Sequence, residues 1–259
     1  MQLAAFTTHF SFGGRHEHRI WLYGDEVTRI FRYYVKWHDA LIPYLYSLVV
    51  QAHRTGARVI EPLPAEAHFM LGPDIMVAAM VEDAPVRDIT LPPGDEWVDA
   101  WSGRVWPGRT TIEEYPVPLD RYPVFIRRGA MIPMHVTNGA TGHGGDWSRG
   151  ALTLDIYPEE GMGNGFSVFD ETMNQTLVLV REKSDLLTVD VTDTAEPLVL
   201  RVLYEFHPRS VTVNGEPVAR IEDEARFAAA PRAWRLAHGR LWVKAADTGD
   251  VQVECRFVK

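Results

Sequence analysis

LIPYLYSLVVQAHRTGARVIEPL, residues 41–63, is the stretch of sequence that decides the fold. Its first part carries apolar residues at helical spacing, and Gly56 supplies a stop for that helix. The run RVIEPL, residues 58–63, is rich in apolar and β-branched residues and predicts a short buried strand. A helix followed by such a strand is one unit of an α/β fold, and one unit alone cannot form a domain.

The helical pattern extends upstream from this stretch to residue 25. Asp25 and Glu26 favour a start there, because acidic side chains interact well with the positive end of a helix dipole. Pro43 lies inside the pattern and predicts a kink or a division into two helices. Apolar residues occur on several sides of residues 25–51, so we expect a large apolar surface that further protein must cover.

Downstream of residue 73 the pattern changes to short apolar runs separated by Gly, Pro and Asp. Such runs are typical of antiparallel β-sandwiches, and they fall into two zones, 73–137 and 150–259. Between the zones, residues 138–149 are rich in Gly, Ser and Thr and predict a linker. The predicted fold class is therefore mostly β, with a short α/β part at the N-terminal end.

Composition excludes several classes of function. The net charge of −9 over 259 residues argues against a nucleic-acid partner, because phosphate binding needs a basic face. No apolar run is long enough to span a membrane, and the N-terminal stretch lacks the features of a signal peptide. Cys255 is the single cysteine, which permits a reducing compartment. We expect a cytoplasmic protein with no nucleic-acid or membrane partner.

Five stretches, in order along the chain, resemble glycoside hydrolase family 31, the family of α-glucosidases and α-xylosidases. In residues 41–63 the matching residues are PYLY, AHRTG and a Pro-Leu pair. The other stretches are FMLGPDIMVAAMV (69–81), LPPGDEWVDAWSGRVWPG (91–108), PLDRYPVFIRRGAMIPM (118–134) and ALTLDIYP (151–158). The resemblance implies that residues 1–72 form the last unit of a catalytic (β/α)8 barrel. Residues 73–137 and 150–259 would then be a proximal and a distal β-sandwich, joined by the linker.

The resemblance also implies the chemistry of a parent enzyme, a retaining α-glycosidase acting on terminal α-glucosidic or α-xylosidic bonds. Retention needs two carboxyl groups about 5 Å apart, and a glycosyl-enzyme intermediate forms between them. The family's nucleophile and acid/base aspartates belong to barrel strands that precede the segment matching Met1. We therefore expect no catalytic residue, cofactor or metal here, and no turnover by this chain alone. Two alternatives stay open: a non-catalytic carbohydrate-binding or structural module, and one half of a split enzyme.

Residues 3–27 resemble the family loop that carries an Arg-x-His-Gly sugar-binding motif. Aligned through Phe6, His9 and Trp21, the motif's Arg and His positions fall on Ser11 and Gly13, while Gly14 keeps the glycine. The usual sugar-binding side chains are thus absent at their expected places. The candidate substrate-binding residues are His16, His18 and Trp21. As protein partners we expect either the missing barrel portion or a second copy, bound through the helix at 25–51.

Other polar and aromatic residues have competing interpretations. Glu61 and Glu66 are either relocated acid/base groups or solvated loop residues, and the second reading is favoured because no partner that would perturb them is evident. The spacing of His9, His16 and His18 suits a metal, but a closed zinc site needs four ligands, so surface histidines are favoured.

Two further groups of residues also have competing interpretations. The tryptophans Trp97, Trp101 and Trp106 form either a sugar platform or core, and core is favoured. The acidic residues of the distal zone fit no calcium-loop spacing, so solvated charge is favoured for them. That acidic group is Asp155, Glu159, Glu160 and Asp170.

Overall fold

A computed structural model describes residues 2–11, 13, 17–161, 163–204 and 207–258. The helices are α1 (Asp25–Ala40), α2 (Ile42–Thr55) and α3 (Glu224–Ala229), with 3-10 turns at Leu3–Phe6, Ile20–Tyr23 and Asp146–Ser148. The described strands lie in mainly antiparallel sheets, and these sheets do not close into a barrel. Two compact units result: Met1–Asp39 with Gln51–Arg128, and Ala40–Val50 with Gly129–Lys259.

Among the described helices, none combines the length and the apolar composition that crossing a membrane requires.

The first unit holds the strands β1 (Ile60–Pro62), β2 (His68–Leu71), β3 (Ile75–Ala78), β4 (Val86–Thr90), β5 (Glu96–Asp99), β6 (Val105–Pro107), β7 (Thr111–Pro116) and β8 (Val124–Arg127). Six of them form a sheet in the order β1-β2-β3-β8-β5-β6, and β4 pairs with β7. Met76, Ile89, Trp97 and Phe125 are buried in one core cluster. The antiparallel β-structure predicted for residues 73–137 is confirmed for the part that lies in this unit, from β3 to β8.

Strand β1 differs from the prediction of a buried barrel strand. All three of its residues are exposed, and it pairs antiparallel with β2 through Glu61 and Met70. Within the described residues β1 is the last strand of its sheet, so its other edge has no partner strand. A strand of a barrel is buried because neighbours flank it on both sides, and that condition is not met here.

Helix α1 packs one face into the first unit. Ile30, Tyr34 and Trp37 follow at helical spacing and are buried, and Phe6 meets the Trp37 ring edge-on with 4.9 Å between centroids. The prediction of a large exposed apolar surface over residues 25–51 is therefore wrong. Its apolar side chains are mostly covered by the chain's own sheets and loops, which the helical spacing alone does not reveal.

The predicted division of the helical stretch at Pro43 is confirmed, since α1 ends at Ala40 and α2 begins at Ile42. Proline is tolerated in the first turn of a helix, where its missing N–H has no helical acceptor. In the second unit the Tyr44 ring stacks on Phe166 at 5.4 Å. The Ser47 hydroxyl accepts a 2.9 Å hydrogen bond from the backbone N–H of Phe169. The first turns of α2 are thus anchored to β11 (Gly163–Phe169).

The second unit holds the remaining strands: β9 (Met131–His135), β10 (Leu152–Ile156), β11, β12 (Gln175–Lys183), β13 (Leu186–Thr194), β14 (Leu198–Leu203), β15 (His207–Val213), β16 (Glu216–Pro217), β17 (Arg232–Ala237), β18 (Arg240–Ala245) and β19 (Gly249–Val258). One sheet has the order β17-β18-β14-β10-β9 and the other β11-β12-β13-β19-β15-β16. Burial alternates along β13, so this sheet has one covered face. Strands β10 and β14 run parallel, whereas their neighbours are antiparallel.

The units do not divide the chain at the predicted linker, residues 138–149. Strand β9 pairs with β10, which places residues 131–135 in the second unit instead of the proximal sandwich. Within 138–149, the Trp147 ring meets Phe227 edge-on at 5.1 Å and Trp242 at 5.6 Å. This segment therefore covers part of the five-stranded sheet, and its glycines permit close packing: a Cβ on Gly144 would meet Ser148 and Val136.

Candidate functional site

The segment predicted to face a sugar is anchored at its apolar residues and exposed at its polar ones. Phe6 is fully buried, and the Phe10 ring lies 5.9 Å from that of Phe31 on α1. Ser11, Gly13 and His18 are exposed. His16 lies outside the described residues. Ser11 and Gly13, the positions predicted to replace the family's Arg and His, carry neither a guanidinium nor an imidazole group.

Trp21 stands on the 3-10 turn Ile20–Tyr23 and is 67% exposed, while Ile20 of the same turn is buried. Just before the turn, Arg19 forms an ion pair with Glu17, and this pairing lowers the pKa of the Glu17 carboxyl to about 2. The turn therefore presents an indole and a fixed ion pair to solvent. His18 and Trp21 are both exposed.

Glu61 and Glu66 lie on and after the exposed edge strand β1. The Glu61 carboxylate is 3.8 Å from Arg58, and both side chains are well solvated. The backbone carbonyl of Glu66 accepts a 3.1 Å hydrogen bond from Arg87, whose side chain also approaches His68. Both glutamates are exposed, so neither lies in the enclosed pocket that a glycosidase acid/base residue needs.

Behind Glu66 the structure holds a buried histidine. His68 is 4% exposed, and its Nδ1 lies 2.6 Å from the carbonyl oxygen of Glu66. Burial lowers the pKa of His68 from its usual 6.5, so the ring is neutral at neutral pH. A shallow pocket of about 170 Å³ adjoins, between Glu66 and the loop that leads into β4.

The three tryptophans of the proximal zone are parts of the first unit's packing. Trp97 is 2% exposed, and its Nε1 donates a 3.3 Å hydrogen bond to the carbonyl of Pro92. The Trp101 Nε1 donates to the carbonyl of Tyr122 at 2.7 Å. Trp106 lies under the Arg104 guanidinium at 3.7 Å. The core interpretation is supported for Trp97, which is buried in the core cluster, and for Trp106, which is partly buried against the same cluster.

The acidic residues of the distal zone do not share one environment. Asp170 is exposed and accepts hydrogen bonds from the backbone N–H groups of Thr172 and Asn174, which fits the prediction of solvated charge. Asp155 is 1% exposed, so for this residue the prediction is wrong. It lies on β10, an interior strand whose residues are all buried, so both faces of the strand are covered.

Asp155 is the centre of a buried charged cluster that joins three strands. It accepts a 2.6 Å hydrogen bond from Arg201 on β14 and a 3.0 Å bond from the Tyr157 hydroxyl. Arg240 on β18 lies 4.0 Å from the same carboxylate. His143, from the covering segment, approaches it to 3.9 Å. The cluster thus ties the covering segment and three strands to a single carboxylate.

The charges in this cluster are set by burial and by the two guanidinium groups. Burial alone would raise the pKa of Asp155, but Arg201 and Arg240 outweigh it and lower the pKa. Burial, with the same arginines, lowers the pKa of His143 to about 3. The carboxylate is therefore ionised and the imidazole neutral at neutral pH. Because the cluster is buried, a substrate cannot reach it. Its role is to stabilise the five-stranded sheet.

Within the part of the chain that the structure describes, no three His, Cys, Asp or Glu side chains are grouped so that they would hold a metal ion.

Comparison with known proteins gives a consistent family. Residues 51–132 match the model of the glycosyl hydrolase family 31 C-terminal domain. Neutral alpha-glucosidase C of Mus musculus is 34% identical over 134 residues, which is 47% of this chain and 15% of the relative. Alpha-glucosidase 2 of Bacillus thermoamyloliquefaciens is 27% identical over 186 residues, 66% of this chain and 23% of the relative.

Among solved structures, the cycloalternan-forming enzyme of Listeria monocytogenes, determined with a pentasaccharide substrate, superposes with a TM-score of 0.84 at 26% identity. The similarity covers 98% of this chain and 27% of that enzyme. The chain thus spans about a quarter or less of the length of the relatives it matches.

Proposed function

Because this chain belongs to glycoside hydrolase family 31 and corresponds to the C-terminal portion of its members, we propose that it is part of a retaining α-glycosidase. The proposed reaction is hydrolysis of terminal α-glucosidic or α-xylosidic bonds. The observation that carries the proposal is similarity, along 98% of this chain, to one relative whose structure was determined with a pentasaccharide substrate. A chance match would not extend through both units.

In this proposal the two catalytic carboxyl groups come from a barrel that these 259 residues do not contain. Such groups must stand about 5 Å apart across the glycosidic bond, and one of them must stay protonated in a shaped pocket. Glu61 and Glu66 do not meet this need, since Glu61 pairs with Arg58 in solvent and Glu66 is exposed. The chain's contribution is to pack against the barrel and to supply one loop near the sugar.

That loop is the exposed turn with Trp21. An indole packs well on the apolar face of a pyranose ring, and His18 is a hydrogen-bond partner for a hydroxyl group. Both side chains reach solvent, so a sugar held by the barrel has access to them. His16 is proposed for the same role from its place in the sequence.

A surface for the rest of the parent protein is proposed on α2. Ile42 is 50% exposed and Val49 is 44% exposed, seven residues apart and so on one helix face. Tyr46 lies between them, and its hydroxyl approaches the sulfur of Met173 at 3.7 Å. These four residues form an exposed stripe that is smaller than the apolar surface predicted over residues 25–51. We propose that the barrel portion covers this stripe.

The test compares this chain with a longer protein in which a family 31 catalytic barrel precedes it. Both proteins are assayed with 4-nitrophenyl α-glucoside and 4-nitrophenyl α-xyloside. We expect hydrolysis of one substrate by the longer protein and none by the chain alone. If activity appears only after the chain is mixed with a separately encoded barrel, the split enzyme is the correct form. Sugar binding by the longer protein without turnover would contradict the proposal and favour the binding module.

The same assay tests the sugar-facing turn. Trp21→Ala in the longer protein is expected to raise KM severalfold, since a stacking surface is lost. Leu22→Ala is the matched control, because Leu22 is 57% exposed on the same turn and has no polar or aromatic group for a sugar. Equal effects of the two variants would remove Trp21 from the site.

A further inference from the structure

The second unit contains a cavity that the proposed reaction does not use. It has a volume of about 260 Å³ and lies between the covering segment, the start of β14, and the chain that follows α3. Trp147, Arg149 and Lys244 line it together with small residues such as Gly150 and Ala246. We name it the Trp147 cavity.

We propose that the Trp147 cavity binds a single hexuronate, a sugar ring that bears a carboxylate. Ligand pockets usually measure roughly 300–1,000 Å³, so a volume of about 260 Å³ suits a single ring and not an oligosaccharide. The small side chains along its walls leave this room open. The proposal is independent of the parent enzyme's reaction.

Charge identifies the ligand as an anion. The charged side chains that line the cavity, among the described residues, are Arg149 and Lys244, and no aspartate or glutamate lines it there. This local excess of positive charge stands in a chain whose net charge is −9. The positive potential is therefore confined to the cavity, where it attracts a negatively charged ligand.

Lys244 is placed to bind a carboxylate. Its Nζ donates to the carbonyls of Ala228 at 2.7 Å and Phe227 at 3.2 Å. An ammonium group has three N–H donors, so one remains for a ligand oxygen. Partial burial lowers the pKa of Lys244, so its ammonium group is less hydrated than that of a fully exposed lysine. Such a group gains more from an anionic partner than a fully hydrated lysine does.

Trp147 supplies the apolar surface that a sugar ring needs. Its ring is held by edge contacts with Phe227 and Trp242, and it remains partly exposed at the cavity. The Lys244 ammonium lies 5.8 Å from the centre of this ring. An aromatic wall beside a cation fits a ring with a carboxylate better than it fits a small inorganic anion.

The experiment is isothermal titration calorimetry on the 259-residue chain with glucuronate at low ionic strength. We expect saturable binding of glucuronate, with glucose and acetate each at least tenfold weaker. Binding of acetate as tightly as glucuronate would overturn the proposal in favour of a general anion site. Equal binding of glucose would overturn the assignment of an anionic ligand, and no binding of glucuronate would overturn the site.

Variants locate the binding. Ala246→Phe, at an exposed position of the lining, is expected to fill the cavity and weaken glucuronate binding at least tenfold. Arg149→Ala is expected to weaken glucuronate binding severalfold. This second variant still tests the site if the phenylalanine of Ala246→Phe disturbs folding. Arg209→Ala is the control, since Arg209 is an exposed arginine on β15 outside the cavity. Unchanged affinity in both cavity variants would place any binding elsewhere.

Discussion

Nη1 of Arg201 donates a 2.6 Å hydrogen bond to Oδ1 of Asp155, across the parallel strands β14 and β10. Both side chains are withdrawn from water, and Arg240 and His143 approach the same carboxylate. Breaking such a buried pair from one side leaves an uncompensated charge inside the protein, and this is costly.

Asp155→Asn is therefore expected to lower the free energy of unfolding by about 3–5 kcal/mol, because two buried guanidinium groups lose their counter-charge. The measurement is urea unfolding followed by fluorescence. Asp185→Asn is the control, since Asp185 is exposed in the turn between β12 and β13 and should change stability by less than about 0.5 kcal/mol. A loss of similar size in both variants would contradict the claim that the buried Asp155–Arg201 pair stabilises the fold.

His143 makes the stability of the second unit depend on pH. Its pKa is about 3 in the folded chain and close to the usual 6.5 when unfolded. Between these values the unfolded chain binds one more proton than the folded chain. Stability therefore falls as pH falls below about 6.5, with a limiting slope of about 1.4 kcal/mol per pH unit.

His143→Gln is expected to remove this slope while lowering stability at pH 7. Unfolding free energies are measured at pH 7, 6 and 5, where Asp155 stays ionised because its pKa is lowered. The other histidines titrate alike in both proteins and cancel in the difference. Parallel curves for the two proteins over this range would refute the assignment of the pH dependence to His143.

The strands were predictable because apolar runs and turn residues are local signals. LTVDVT alternates in sequence, and the same residues alternate in burial along β13. The break at Pro43 was predictable for a similar reason, since proline acts on its own turn.

The environment of Asp155 was not predictable from such signals, because its partner Arg201 is 46 residues away. Asp155 and Arg201 each lie between apolar residues on a strand, which is a sequence clue to burial. Only the pairing of β10 with β14 shows that the two side chains are neighbours. His143 and Trp147 lie in a glycine-rich run whose composition predicted a linker. Trp147 packs against Phe227 of α3 and Trp242 of β18, and His143 approaches Asp155 of β10; local sequence does not encode these contacts.

Gly129, where the chain returns to the second unit, has a left-handed backbone and close neighbours. Its φ is +79°, its N–H donates to the Tyr157 carbonyl at 2.6 Å, and an added Cβ would collide with Asn164 and Glu159. Gly161 has the same φ with open space around it. Gly161→Ala should cost about 1–2 kcal/mol from left-handed backbone strain alone.

Gly129→Ala should cost about 1 kcal/mol more than Gly161→Ala, because the added Cβ displaces the Asn164 amide, which donates a hydrogen bond to the Gly129 carbonyl. The two variants are compared by thermal and urea unfolding. Equal losses would mean that Asn164 and Glu159 move aside without cost, and the packing argument at Gly129 would fail.

Tyr34 connects α1 to the loop before β8 within the first unit. Its hydroxyl donates to the Asp120 carbonyl at 3.1 Å and accepts from the Tyr122 N–H at 2.7 Å. Tyr34→Phe keeps the ring packing but leaves the buried Tyr122 N–H without its acceptor. The expected loss is about 1–3 kcal/mol in urea unfolding, the usual penalty for an unsatisfied buried donor. Tyr23→Phe is the control, because that exposed hydroxyl makes one long 3.3 Å bond, and a loss as large there would contradict the role of Tyr34.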